Sequence, residues 1–194
     1  MSTRILIVFL SLSISAYSQA LRDSILVKSS IYTILYSETL EGPLWIEYSV
    51  NCQKSKFSRK GLDFYKDSSI KTSDNLDYLH NDYDKGHMAP AASFACDKGE
   101  LLRTFSYVNC SPQWYTLNRG VWKALEDRER QLYLKYGQVS VRIKPIYSNN
   151  SIKLKTGATV PLGYYKTLIY NNIKEVYYFP NSEPKSTQIK SYVK

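Results

Sequence analysis

The stretch "DYDKGHMAP", Asp82 to Pro90, contains His87, one of only two histidines in the chain. Imidazole is the side chain best poised to accept a proton near neutral pH, which makes His87 a candidate general base. A lone histidine is more often structural than catalytic. Here an acid (Asp84), a cation (Lys85) and Gly86 precede it, and a glycine permits an unusual backbone angle. A second set of residues repeats every four positions: Asn118, Trp122, Glu126 and Arg130. On a helix they would spread over about 120°. The simpler reading is a solvated face with a Glu126–Arg130 pair at i, i+4. The chemical reading is an amide oxygen for a hard metal ion, a carboxylate to hold that ion's waters, and a guanidinium for phosphate. Residue type and spacing alone favour the simpler reading.

These side chains need elements to hold them. Residues 116–136 have a helical pattern, with Leu117, Val121, Leu125 and Leu132 on one side. Thr116 is the expected N-cap and Gly137 the expected stop. "GPLWIEYSV" (Gly42 to Val50) alternates as a strand does, and "TFSYVNC" (Thr104 to Cys110) predicts a short strand that "SPQ" breaks. The polar residues 55–87 read mostly as loop, and His80 within them as a loop histidine. After the helix, "QVSVRIKPIY", "GYYKTLIYN" and "KEVYYFP" are strand-like and joined by short turns. The expected fold class is α+β, a mostly antiparallel sheet with one long central helix.

With 194 residues and 43% hydrophobic content, the chain suits one folded domain with a sizeable core and excludes global disorder. Residues 1–18 read as a secretory signal: Arg4, an apolar run from Ile5 to Ile14, then Ala16 and Ser18 before a cut at Gln19. The run is too short to span a bilayer comfortably, so no stable membrane association is expected. The expected domain is 19–194, exported to the periplasm or the medium. The net charge of +9 drops only to +8 without Arg4. A surface this basic suits a polyanionic partner, although a merely soluble basic surface fits equally well. Cys52, Cys96 and Cys110 allow one bridge and one thiol, with the pairing open.

Three blocks appear in order: "YDKGHMAPAASF", "TFSYVNCSPQ" and "LNRGVWKALEDRERQL". Together they resemble the signature of the DNA/RNA non-specific endonucleases. In that family a DRGHxAP stretch precedes a strand ending in SNxxPQ, then LNxxxWxxLE with an arginine one turn on. The resemblance implies the ββα-metal (His-Me finger) fold and metal-dependent cleavage of DNA and RNA. It implies His87 as the general base, Asn118 as the direct ligand of Mg2+ (Mn2+ or another divalent ion being the alternative), and Glu126 as the residue ordering the ion's waters. It further implies Arg130 as the arginine stabilising phosphate charge and Asn109 as a support that positions His87. "RKGLDFYKD" resembles an upstream element and makes Arg59 a phosphate-binding candidate. Lys85 stands where the family most often has Arg; it keeps the charge and loses the bidentate fork. Cys110 replaces an apolar residue, and the family usually continues beyond the point matching "KSYVK" with a short strand and a closing helix. The competing readings are a basic nucleic-acid-binding or adhesion module with a lapsed site, and a nuclease restricted to DNA or to RNA. No 2′-OH sensor is visible that would separate the last two.

Overall fold

In a computed structural model, which describes residues 23–194, period-two alternation builds an antiparallel sheet. The expected signal, residues 1–18, lies outside the described residues. The described residues start with β1 (Ser24–Lys28), β2 (Tyr32–Ser37) and β3 (Gly42–Ser49). A hairpin pair follows later, β4 (Tyr83–His87) and β5 (Cys110–Trp114), separated by the short helix α1 (Lys98–Arg103). The central helix begins as α2 (Tyr115–Leu117), passes through a π-helical turn, Asn118–Trp122, and continues as α3 (Lys123–Tyr136). The strands β6 (Ser140–Ile146), β7 (Gly163–Tyr170) and β8 (Ile173–Pro180) complete the fold. The main sheet has the order β1-β2-β3-β6-β7-β8, and β4 pairs with β5 alone. Two antiparallel strands followed by a helix make the ββα unit, so the class is α+β as expected.

The core lies between one face of the six-stranded sheet and the central helix. Ile34, Ile46, Ile143 and Leu168 point inward and are fully buried. Leu117, Val121, Leu125 and Leu132 meet them from the helix, as the helical pattern predicts. Gly137 ends the helix at φ +75°, and its N–H bonds the Tyr133 carbonyl at 2.8 Å.

Several local expectations are corrected. Residues 83–87 form a strand where a loop was expected. The strand expected at 104–110 is a 3-10 turn, Tyr107–Asn109, and extended structure runs through "SPQ" as β5. Pro112 lies opposite Lys85. A two-stranded ribbon has open edges, so the missing proline N–H is tolerated there. The helix starts one residue early, at Tyr115. Thr116 does not cap it; its hydroxyl donates to Glu183 at 2.7 Å. Gly86 does not take a left-handed angle: the glycines with positive φ are Gly61, Gly137 and Gly157. Its requirement is space, because a Cβ there would stand 2.6 Å from Gln113 Oε1.

His80 is an exposed loop residue with φ +59°, as read from the sequence. Cys52 and Cys96 form the disulfide, with Cα atoms 5.4 Å apart. Cys110 keeps a buried thiol, 3.2 Å from the Tyr78 hydroxyl oxygen. Among the described residues no helix is long and apolar enough to cross a membrane.

Candidate active site

Six of the seven predicted site residues meet in one cleft of about 720 Å³: Arg59, Lys85, His87, Asn118, Glu126 and Arg130. They come from the loop after β3, from β4 and from the central helix. Asn109 is not in the lining. It is fully buried behind the cleft, where it works as a clamp. Its Oδ1 accepts from Ala89 N–H at 2.8 Å, and its Nδ2 donates to the Ala89 and Thr104 carbonyls at 2.9 Å each. Its own carbonyl accepts from Met88 N–H at 2.9 Å. Asn109 thus fixes the two residues after His87.

His87 ends β4, with its ring among aromatics. Its centroid lies 4.5 Å from Phe64 and 4.8 Å from Phe105. Nε2 is buried with no partner. Burial first, then the charges of Arg59 and Lys85, push the imidazole down to about pKa 3. The ring is therefore neutral at physiological pH and has an open lone pair or N–H at Nε2. Lys85 lies beside it. Its ammonium pairs with Asp63, donates to Asn75 Oδ1 at 2.9 Å and sits 5.7 Å from the Phe64 ring centroid.

Across the cleft, Asn118 opens the π-helical turn. Such turns concentrate at functional sites, and this one contains Gly120 at φ −103°, ψ −112°. Asn118 Nδ2 donates to Asp84 Oδ2 at 2.9 Å. Arg119 grips the same carboxylate with Nε and Nη2, at 2.8 and 2.6 Å. Tying down the amide nitrogen leaves Asn118 Oδ1 as the acceptor. The solvated-face reading of the helical stripe fails at Trp122, which is fully buried. The expected Glu126–Arg130 pair gives way to Arg130–Asp127. Arg130 Nη1 remains buried with no partner. Burial raises Glu126 to about pKa 7, with Lys166 and Arg130 opposing and Glu129 reinforcing.

The donor set suits one kind of metal ion. Among the described residues no group of three or more His, Cys, Asp or Glu could enclose an ion. A neutral amide oxygen in a cleft that also holds the Asp84 and Glu126 carboxylates fits a hard divalent cation that keeps most of its water.

The sequence profile of the DNA/RNA non-specific endonucleases matches residues 14–194. The chain belongs to that family. It is 27% identical over 154 residues to mitochondrial endonuclease G of Bos taurus, covering 71% of this chain and 52% of that protein. It is 30% identical over 161 residues to the nuclease of Serratia marcescens, covering 76% of this chain and 59% of that protein. The chain thus spans about half the length of such relatives. Among solved structures, a chain of the EndoG/EndoGI complex, described for the mechanism of EndoG inhibition, superposes with a TM-score of 0.79. Identity there is 25%, over 93% of this chain and 86% of that one.

Two features of this family member were missed by sequence reasoning. Asp84 sits inside the DKGH stretch, yet its partners Asn118 and Arg119 are more than thirty positions away. The other is a buried charge pair beneath the helix. Lys166 and Glu129 are both fully buried, with Nζ 2.6 Å from Oε1. Tyr48 donates its hydroxyl to Glu129 Oε2 at 2.8 Å, and the Lys166 ammonium lies 4.4 Å from the Trp122 ring centroid. Strand alternation was the available signal, since it puts Lys166 on the same face as Tyr164 and Leu168.

Proposed function

We propose that the chain is an exported, divalent-metal-dependent endonuclease that hydrolyses phosphodiester bonds in DNA and RNA with little sequence preference. One observation carries this reading. His87 Nε2 and Arg130 Nη1 are both buried without partners, and both residues line one cleft. A buried polar atom left unpaired is costly unless an absent occupant satisfies it.

A scissile phosphate with its attacking water is such an occupant. Neutral His87 takes the water proton on Nε2 as the water oxygen bonds to phosphorus and one P–O ester bond breaks. Arg130 donates to a non-bridging phosphoryl oxygen, where negative charge builds. Lys85 and Arg59 hold the flanking backbone, which carries no sequence information. Asn118 Oδ1 would hold Mg2+, with Glu126 bonding to the ion's water shell. When bound, the ion supplies positive charge for the leaving oxygen. Asp84 keeps Asn118 turned toward that position.

Export rests on residues 1–18 and agrees with the Cys52–Cys96 disulfide, since such bonds persist in oxidising compartments. The function is tested by digesting plasmid DNA and RNA with and without a chelator, beside His87→Ala. Cleavage of both polymers, lost on chelation and reduced about 10²–10⁴-fold in the variant, is expected. A folded wild-type protein that binds DNA without cutting it at any divalent-ion concentration would favour the lapsed-site reading instead.

A further inference from the structure

The six-stranded sheet has a second face, opposite the helix, and that face has its own pattern. The strand registers line up side chains into rows across it. One row runs Leu26, Leu35 and Trp45 on β1, β2 and β3; Lys144, Tyr165 and Tyr178 form a row on β6, β7 and β8, starting one residue beyond the last β3–β6 pair, Ile46 and Ile143. The adjacent row includes Lys28, Thr33, Glu47, Arg142 and Thr167. Outward positions stay open: Leu26 is 52% exposed, Tyr165 41% and Ile169 48%.

Cations are interleaved with these rings. Arg142 stacks 5.3 Å from the Trp45 ring centroid, and Lys194 lies 5.7 Å from that of Tyr178. Tyr165 and Tyr178 are 4.8 Å apart. Lys28 and Lys174 project from the same face, the latter opposite Ile169. The acid within these rows is Glu47, and Arg142 neutralises it at 3.1 Å.

We propose that this outer face is an auxiliary binding platform for a single-stranded segment of a long nucleic acid. The proposal rests on the nuclease reading of the cleft and extends it to substrate beyond the cut site. Exposed aromatics on an antiparallel sheet offer flat surfaces on which bases stack regardless of sequence, and the lysines beside them meet phosphates. Trp45 and Tyr165 are two strands apart, about 10 Å, with Lys144 on the strand between. A strand laid across the rows can stack bases on both rings and put a phosphate over Lys144. Charge argues for this occupant over a second protein: protein interface cores are depleted of charge and especially of lysine. Because the cleft is on the opposite side of the sheet, only substrates long enough to turn the sheet edge reach both.

The test uses Lys144→Ala/Tyr165→Ala, which leaves the cleft and the core untouched. Anisotropy of dye-labelled oligothymidylates, long and short, is measured in chelator so that nothing is cut. Cleavage of a short duplex is measured separately with Mg2+. The expected result is about tenfold or more weaker binding of the long oligomer, the size of one lost base–aromatic stack. Binding of the short oligomer should change much less, and the short duplex should be cut at the wild-type rate. Equal loss or no loss on both oligomers overturns the platform. Concentration-dependent dimerisation of the wild type that the variant abolishes, with oligomer binding unaltered, assigns the face to a second copy and also overturns it. Failure of the wild type to cut any substrate defeats the nuclease reading alone, because the anisotropy arm does not depend on cleavage.

Discussion

The Lys166 ammonium is 2.6 Å from the Glu129 carboxylate, and neither residue has any solvent exposure. Glu129 lies between Glu126 and Arg130 in sequence, so this pair ties the central helix to β7, the strand next to the sheet edge. Removing one member strands the other as a buried charge. Lys166→Met should cost about 3–5 kcal/mol, while Lys166→Met/Glu129→Met should recover most of it. Denaturant melts of these two variants, of Glu129→Met and of the wild type give the cycle. Additive losses in the double variant would show that the two side chains do not depend on each other.

Glu126 predicts a pH effect with a definite sign. Its folded pKa is raised to about 7. The unfolded carboxyl releases its proton from about pH 4.3 upward. Between those values the folded state binds more protons, so this group lowers metal-free stability as pH rises through the window. Glu126→Gln removes the effect. Its melting temperature relative to wild type should therefore improve between pH 5 and pH 8, by the equivalent of about 1–3 kcal/mol. Mg2+ should favour the ionised wild-type carboxylate and narrow the gap at pH 8. A gap that is the same at both pH values contradicts the buried-acid assignment.

Gly86 is needed for clearance. A methyl group there would meet Gln113 Oε1 at 2.6 Å, Gln113 Cβ at 2.7 Å and the Ser111 carbonyl at 3.0 Å. Gly86→Ala should push β4 from β5, costing about 1–3 kcal/mol as other overpacked sites do. His87 is the next residue, so turnover should fall even where the protein remains folded. Thermal melts and plasmid cleavage together check this, and wild-type values in both would mean that the hairpin absorbs the methyl.

Lys85 is tied to Asp63, and the Lys85 ammonium holds that carboxyl below the usual carboxylate range. A phosphate gripped by Lys85 must displace an anion already there. Asp63→Asn should raise kcat/KM on a defined duplex, and Lys85→Arg should keep or raise it. Lys85→Ala should lower it by about 1.5–3 kcal/mol, the range for a hydrogen bond to a charged group. Identical kcat/KM for wild type and Lys85→Ala would remove Lys85 from the substrate path.

Much of the site could be read from the sequence because its parts lie in short motifs whose order survives folding. His87, Asn118, Glu126 and Arg130 fall into one cleft as the three blocks imply. The apolar side of the helix was equally legible, since Leu117, Val121 and Leu125 repeat at its period. Features arising from long-range pairing were not. The strand Tyr83–His87 is polar and reads as loop until β5 is placed beside it. The π-helical turn inserts an offset that no periodicity shows. Trp122 looked solvated because its cover, Tyr164 and Phe179, comes from strands more than forty residues away.

The disulfide joins the loop that carries Arg59 to the segment after His87, and both line the cleft. Cys96 follows Ala95, whose carbonyl accepts from the Lys56 and Phe57 amides at 2.8 and 3.0 Å, and Cys52 begins the loop that carries Arg59. Reduction would remove the covalent tie and leave the Arg59 loop held by hydrogen bonds such as these and by the Lys85–Asp63 pair. For a chain that is exported as proposed, the consequence is one of timing. The cytosol would hold a version whose substrate wall is not yet fastened, and oxidation on the way out would fasten it.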